Sequence, residues 1–396
     1  MRILMRLSRH IGGVAAGAIL TAGLSSGPVE AGGYDVGQRY WDFLFQQKML
    51  AAAAEMRRVE PTRELTNIRN TLLPGTQARN PETEGFWITS FSAAARLGEH
   101  FRCMASFRQP WEGHANYGRS WVGAAAVVEQ HFSSEDYGLT CSAALPVGPG
   151  FFHLIGGGSL QRAHYTLSQN VLAPTLLVTD VDDESTSWRV GVAYEIPDYA
   201  LRVSLIYDSE VRYDMTGAVT VAGASTPAFG SITMPQALEL RAQSGIAPGW
   251  LAFGSIRWTN WSVADNMPIC AVGTPVCTQA AAISGLALYW KDSWTVTVGA
   301  AHQFNDKATL TGSLTWDQGA SKGFTSNTDT WIASSNLVLT PNDNVILKLN
   351  GAAGIMTGGS LSTATLAGGI PNPVGYTASF GNDLVYSLSG SFTLKF

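Results

Sequence analysis

The end of the chain alternates strictly between apolar or glycine positions and polar ones. The apolar residues and the one glycine occupy every second position up to the carboxyl terminus: Leu384, Tyr386, Leu388, Gly390, Phe392, Leu394 and Phe396. Because successive side chains of a β-strand point to opposite faces, this pattern predicts a strand with one apolar face.

The same period of two recurs in hairpins from residue 86 onward. The clearest paired runs are 188–196 with 201–207, 238–246 with 250–258, 294–300 with 310–316, and 331–339 with 345–349. The short turns between paired runs contain Pro, Gly, Asn or Asp, the residues that favour tight turns. By contrast, the connections between successive hairpins are long: 213–235, 262–282, 318–328 and 357–375.

Short turns at one end and long loops at the other are typical of a transmembrane β-barrel, and so are the aromatic residues near the strand ends. A soluble sandwich would carry charges on its outward face. Only 14% of this chain is charged, whereas ordinary soluble domains have about 25%. The sequence therefore predicts an all-β fold: a transmembrane antiparallel β-barrel of about fourteen strands over residues 86–396.

Charge and hydropathy argue against a nucleic-acid-binding protein and against a bundle of transmembrane helices. The formal net charge of -5 offers no basic surface for nucleic acid. Transmembrane helices would each need roughly 18 consecutive apolar residues, and the sequence contains no such run.

The first residues predict a secretory signal. Three arginines precede an uncharged stretch from residue 11 to 24, and Val29-Glu30-Ala31 has the small residues of a signal-peptidase site. We therefore expect residues 1–31 to be a signal peptide, and the mature protein to lie in the outer membrane of a Gram-negative bacterium.

Residues 32–85 lack the period of two and are predicted to form a plug inside the barrel. Phe45, Met49, Ala52 and Met56 recur at helical spacing, which predicts a helix from Asp42 to about Arg57. A polar stretch with prolines, 62–84, is then expected to be a loop. A periplasmic arm outside the barrel is the alternative.

The four cysteines favour disulfides, because export exposes them to an oxidising compartment. Cys270 and Cys277 would close the tip of one loop, and Cys103 and Cys141 would join neighbouring strands. A zinc site is disfavoured by their spacing, and no metal or other cofactor is predicted.

The carboxyl-terminal run resembles the strand by which bacterial outer-membrane proteins are recognised for assembly, with Phe392, Leu394 and Phe396 as the signal. The hairpins resemble those of the outer-membrane transport proteins for long-chain fatty acids and aromatic hydrocarbons, the FadL/TodX family. The stretches that carry this resemblance are 231–235, 247–250, 256–262, 290–294, 298–304 and 314–317. It covers roughly residues 136–396.

The resemblance implies a fourteen-stranded barrel closed by an N-terminal hatch, with lateral release of hydrophobic molecules towards the bilayer. Members commonly carry Asn-Pro-Ala near the mature N-terminus. This chain instead has Asn80-Pro81-Glu82, which comes late and ends in a carboxylate.

Two sets of residues are candidates for substrate binding. The side chains next to the lipid-facing ones must point into the lumen: Arg189, Glu195, Arg202, Asp208, Glu239, Arg241 and Arg257. Their arginines could contact a substrate carboxylate or form a structural ladder with the acidic residues. The plug offers an apolar set that could line a pocket or anchor the plug: Trp41, Phe43, Leu44, Phe45, Met49 and Leu50.

The function predicted is passive uptake of hydrophobic compounds without an enzymatic step. Six histidines follow the predicted signal peptide and serines are many, but no nucleophile motif such as Gly-x-Ser-x-Gly accompanies them. A general or substrate-specific aqueous porin is the alternative, and a lipid-modifying enzyme is less favoured. The expected partners are outer-membrane lipids and lipopolysaccharide, a hydrophobic substrate and the barrel-assembly machinery, with the protein a monomer and no nucleic acid bound.

Overall fold

The computed structural model describes residues 33–36, 41–46, 48–71, 74–172, 175–361 and 375–396. These residues form a closed antiparallel β-barrel of 14 strands. Each strand pairs with the next in sequence, and the last strand pairs with the first, from Ala51 opposite Lys395 to Pro61 opposite Val385. Closure gives the strands' backbone groups partners on both sides, as a bilayer requires. The predicted signal peptide lies outside the described residues.

The barrel strands are, in order, β1 (Leu50–Pro61), β2 (Phe86–Leu97), β3 (Phe101–Arg108), β4 (Glu129–Val147), β5 (Gly150–Leu172), β6 (Thr175–Ile196), β7 (Leu201–Asp208), β8 (Ala237–Ala247), β9 (Trp250–Thr259), β10 (Ser293–Asn305), β11 (Ala308–Asp317), β12 (Thr330–Asn342), β13 (Val345–Met356) and β14 (Asp383–Lys395). Within the described ranges, three short 3-10 helices cover Trp41–Phe45, Pro197–Tyr199 and Trp261–Val263. No helix in this described part of the chain is long and apolar enough to cross a membrane.

The alternation read from the sequence sets the two faces of the wall. Trp188 and Val190 are exposed on the outer face, whereas Arg189 between them is 1% exposed and faces the lumen. The interior orientation predicted for the other charged residues is likewise confirmed, because they are buried or ion-paired there: Glu195, Arg202, Asp208, Glu239, Arg241 and Arg257.

Outward-facing aromatic side chains gather near both ends of the strands. Trp188 packs on Tyr207 and Trp316 on Trp331 near the ends that lead into long loops. At the other end Trp250 packs on His302 beside a short turn. We refer to the short-turn end as periplasmic and to the long-loop end as extracellular, as in other barrels of this kind.

The first barrel strand corrects the sequence prediction. Residues 50–61 form β1, so the barrel begins at residue 50 and not at residue 86, and the helix expected from Asp42 to Arg57 is replaced by the 3-10 helix Trp41–Phe45 followed by a strand. The alanines at 51–54 favour a helix locally. Pairing with both β14 and β2 overrides that preference, because β1 is needed to close the barrel.

The extracellular loops are themselves structured. The stretch 62–84, predicted to be a loop, contains strands Glu64–Asn70 and Thr76–Pro81, which join Gly359–Ser360 and Tyr376–Phe380 in a separate four-stranded sheet. Strands Thr216–Val221, Ala224–Gly230, Asn266–Ala271 and Ser284–Ala287 extend the barrel wall, and Val211–Tyr213 pairs with Ile232–Met234. Together the loops form a cap over the extracellular mouth.

Both predicted disulfides are present. Cys270 and Cys277 close a loop of the cap. Cys103 and Cys141 lie directly opposite each other on β3 and β4.

A capped cavity above a charged lumen

A cavity of about 520 Å³ lies beneath the cap in the extracellular half of the lumen. Its apolar wall includes Tyr34, Val59, Leu167, Leu288, Trp290 and Tyr376. Several of these belong to the largest apolar cluster among the described residues, in which Trp290 packs edge-on against both Tyr34 and Trp261. The rest of the wall is polar, in nearly equal share, and a concave space of this size is typical of a small-molecule site.

Few charged groups reach the cavity wall. Arg63 is the single arginine or lysine among the described lining residues. Its guanidinium donates to Asp383 at 3.0 Å, to Thr328 at 2.9 Å and to three backbone carbonyls. The carboxyl side chains on the wall are Asp35, Glu82 and Glu112.

Buried ion pairs fill the barrel interior below the cavity. Asp136 is fully buried, and its Oδ2 accepts hydrogen bonds from Arg108 at 3.1 Å, Ser159 at 2.8 Å and Gln161 at 2.7 Å. Arg189 lies beside the same carboxylate at 3.5 Å. Because buried charges are tolerated only when paired, an apolar solute entering this layer would have to separate these pairs.

The four arginines for which the sequence left open substrate contact or a structural ladder all lie in the lumen, and all pair with acidic groups of the protein. Arg189 pairs with Asp136 and Asp208, Arg202 with Asp42, Arg241 with Glu239, and Arg257 with Asp35 and Glu239. The predicted partner Glu239 is therefore in the ladder, whereas Glu195 pairs with His153 instead.

The N-terminal segment occupies the same interior. Trp41, Phe43, Leu44 and Phe45 are buried in one cluster with barrel side chains such as Met104 and Ile155. The guanidinium of Arg189 lies 5.0 Å from the Trp41 ring centroid, and that of Arg202 lies 4.4 Å from the Phe45 ring. These aromatic side chains pack against lumen-facing cations.

Met49 and Leu50 do not share this environment. They are 69% and 51% exposed and lie where the chain enters the first barrel strand. Their predicted place in a plug pocket is wrong, because the plug ends before the strand begins.

The barrel wall is interrupted beside the cavity. The ladder between β2 and β3 ends at the pair Phe91 and Phe107. The third strand then breaks at residues 109–111 and resumes as Glu112–Asn116, which pairs only with β4 among the barrel strands. In the gap, the side-chain Oε1 of Gln109 accepts a hydrogen bond from the backbone N–H of Thr89 at 2.7 Å.

The N-terminal residues bind to this break from the inside. The N–H of Val36 donates to the carbonyl of Pro110 at 3.2 Å, and the N–H of Glu112 donates to the carbonyl of Tyr34 at 3.0 Å. The wall is thus completed there by the plug and by one glutamine side chain. Sequence reasoning missed this opening, although Pro110 within a strand is a local signal, because proline cannot donate to a ladder.

Residues 46–329 match the family described as outer membrane protein transport protein (OMPP1/FadL/TodX). This chain belongs to that family. The prediction made from the hairpin pattern is confirmed, together with the outer-membrane location that the family description states.

Individual relatives are distant. The long-chain fatty acid transport protein of Salmonella typhi is 20% identical over 272 residues, which cover 58% of this chain and 60% of the relative. The protein of the same description from Escherichia coli K12 is 22% identical over 152 residues, 33% of this chain and 31% of the relative. The chain thus spans less than two thirds of the length of either.

Solved structures agree in fold over nearly the whole length. A FadL homologue from Pseudomonas aeruginosa superimposes with a TM-score of 0.76 at 14% identity, covering 98% of this chain and 99% of the other. The toluene transporter TodX of Pseudomonas putida gives a TM-score of 0.61 at 12% identity with the same coverage. The late Asn80-Pro81 pair of this chain lies in the cap sheet, at the end of the strand Thr76–Pro81, and not in the plug.

Proposed function

We propose that this protein is a passive channel through which hydrophobic compounds, such as long-chain fatty acids or aromatic hydrocarbons, cross the outer leaflet of the outer membrane. The relatives described as fatty acid and toluene transporters support this range of substrates. The observation that carries the proposal is the position of the cavity with its aromatic wall, next to the break in the barrel wall and above the charged layer.

The route that follows is lateral. A hydrophobic molecule in the cavity faces buried ion pairs below it, where it would separate paired charges at a high cost. Beside it the wall is held by two backbone hydrogen bonds from the plug and one from Gln109. Displacing these few bonds opens a path into the bilayer, where an apolar solute is favoured. Transport is then downhill and needs no energy source.

A crosslink across the gap tests this route. Cysteines introduced by Thr89→Cys and Gln109→Cys can be joined with a short bifunctional thiol reagent, since the four native cysteines are in disulfides. We expect the crosslinked protein to lose most uptake of labelled oleate or toluene by cells that lack other members of the family. Each single-cysteine variant, treated identically, is the control, and full uptake by the crosslinked protein would contradict lateral exit.

An aqueous porin is the second candidate function. Conductance measurements in planar bilayers distinguish a porin from a plugged channel. A channel closed by its plug and ion pairs passes little current, whereas a porin shows a large steady conductance.

In this proposal the lumenal arginines are structural, since each of the four already has an acidic partner. The apolar plug residues anchor the plug against the wall. Outer-membrane lipids, lipopolysaccharide and the assembly machinery that reads Phe392, Leu394 and Phe396 are the proposed partners of a monomer.

A further inference from the structure

Two segments meet at the extracellular edge of the break in the barrel wall. Residues 82–84 lead into β2, and the strand Glu112–Asn116 continues β3 beyond the break. They are joined by two backbone hydrogen bonds, and in one of them the N–H of Glu84 donates to the carbonyl of His114 at 3.2 Å. The break therefore ends at this contact, as it ends on the periplasmic side at the last pair of the β2–β3 ladder.

A histidine lies between carboxylates from both sides of this edge. The Nε2 atom of His114 is 2.9 Å from Glu129 Oε1 on β4, and its Nδ1 atom is 3.6 Å from Glu84 Oε2. A neutral imidazole carries one N–H, whereas the protonated ring carries two. Only the protonated ring can therefore attract both carboxylates at once and hold the segment before β2 against β4.

A second histidine completes the group. His131 of β4 lies directly opposite His114 in the ladder, with ring centroids 4.8 Å apart, and it pairs with the buried carboxyl group of Glu112. Tyr34 of the plug is the other titratable group near Glu112. Among the described residues, the carboxylates at this edge form ion pairs only with the two histidines: Glu84, Glu112 and Glu129.

The charge balance of the group depends on pH. With neutral histidines, three carboxylates lie close together without a paired cation. Protonation of both rings offsets two of these charges, and each ring then lies beside a carboxylate that outweighs the repulsion between the rings. Histidine changes its charge between about pH 5 and 8. The attraction is thus present on the acidic side and is lost as the pH rises through the titration of the histidines.

We propose that these two histidines and three glutamates form a pH-sensitive latch on the lateral opening. The protonated latch holds the extracellular edge of the break closed, and the deprotonated latch lets this edge loosen, so that a hydrophobic molecule leaves more easily. The backbone hydrogen bonds of the edge are present in both forms, so the effect is graded. This inference rests on the proposed function and adds a regulation of the same opening.

Hydrogen exchange tests the latch without any substrate. Peptides that cover residues 82–86 and 112–117 of the full-length protein in detergent micelles are followed at about pH 6 and about pH 8. The rates are expressed as protection factors, so that the intrinsic pH dependence of exchange cancels. We expect protection to be about twofold to fivefold lower at the higher pH, the range of a partly exposed ion pair. Equal protection at the two pH values would overturn the inference.

Three substitutions identify the groups responsible. His114→Gln removes the titrating ring and should give the lower protection at both pH values. Glu84→Gln keeps the oxygen that accepts a hydrogen bond from Asn116 at 2.9 Å but removes the charge, and it should act in the same way. His164→Gln is the matched control and should keep the pH dependence, because His164 forms an exposed pair with Asp180 and is not part of the latch.

A pH dependence that survives in Glu84→Gln would contradict the latch even if His114→Gln does not fold.

Uptake of labelled toluene by cells connects the latch with transport, since toluene has no charge that changes with pH. We expect wild-type uptake to rise about twofold to fivefold from about pH 6 to about pH 8, and uptake by His114→Gln to stay at the higher level. Uptake that does not change with pH while protection does would overturn the inference and leave the channel intact. If toluene is taken up at neither pH, the proposed function fails, and the exchange experiment alone decides whether the latch exists.

Discussion

The two halves of the lumen are filled in opposite ways. Under the cap, aromatic and aliphatic side chains form one large cluster around a cavity of about 520 Å³. Below it, arginines and carboxylates pair across the barrel, with the plug contributing Asp42 and four apolar residues. The difference teaches that a wide barrel can be closed by paired charges while a space for an apolar ligand is kept above them.

Removal of the plug should have the largest effect on the difference between the two halves of the lumen, because it opens the lower half. Deleting residues 33–46 takes away Asp35 and Asp42, the partners of Arg257 and Arg202, together with the aromatic side chains that fill the interior. We expect a steady ionic conductance in planar bilayers where the intact protein shows little. A deletion variant that stays closed would mean that the side chains of the wall alone seal the lumen.

Loss of one buried carboxylate should show how strongly the lower half depends on pairing. Asp136→Ala leaves Arg108 and Arg189 without the carboxylate that both contact. We expect the free energy of unfolding to fall by about 3 to 5 kcal/mol, the usual cost of breaking a buried pair. Denaturant unfolding in detergent micelles measures it.

The matched control for Asp136→Ala is Glu184→Ala. Glu184 forms an exposed pair with Arg162, and such a pair is worth about 1 kcal/mol or less. An equal loss in both variants would contradict the importance of burial.

The smallest expected effect lies in the cap, at Asp292. Burial pushes the pKa of this carboxyl upward, but hydrogen bonds from Ser262, Asn260 and Trp258 outweigh it and lower the pKa overall. A lowered folded-state pKa contributes stability above the ordinary aspartate value, about 3.9, and this stability is lost as the pH falls through the folded pKa.

Asp292→Asn should therefore weaken the cap slightly at neutral pH and flatten the dependence of unfolding on pH below about 4. The stability of the cap can be measured as the rate of proteolysis of loop 260–292 between pH 3 and pH 7, in steps of about one pH unit. If the variant and the wild type lose protection in parallel on acidification, Asp292 is not the group that titrates.

The sequence by itself determined which side chains of the wall face lipid and which face the lumen from residue 86 onward. Alternation along a strand is local, so the lipid-facing Trp188 and the lumen-facing Arg189 could be told apart without coordinates. The aromatic girdles, the Cys270–Cys277 disulfide and the hairpins that resemble the family followed from patterns of the same short range.

Only the tertiary structure decided how the wall closes and what it encloses. The run Ala51–Ala54 favours a helix until β14 and β2 offer it hydrogen bonds on both sides. The break at Pro110 matters because the remote segment Tyr34–Val36 binds there. Glu82 faces a cavity because loops far apart in sequence fold over it. Contacts between segments that are distant in sequence produce no periodic pattern of residue types, so they can be identified only from the folded barrel.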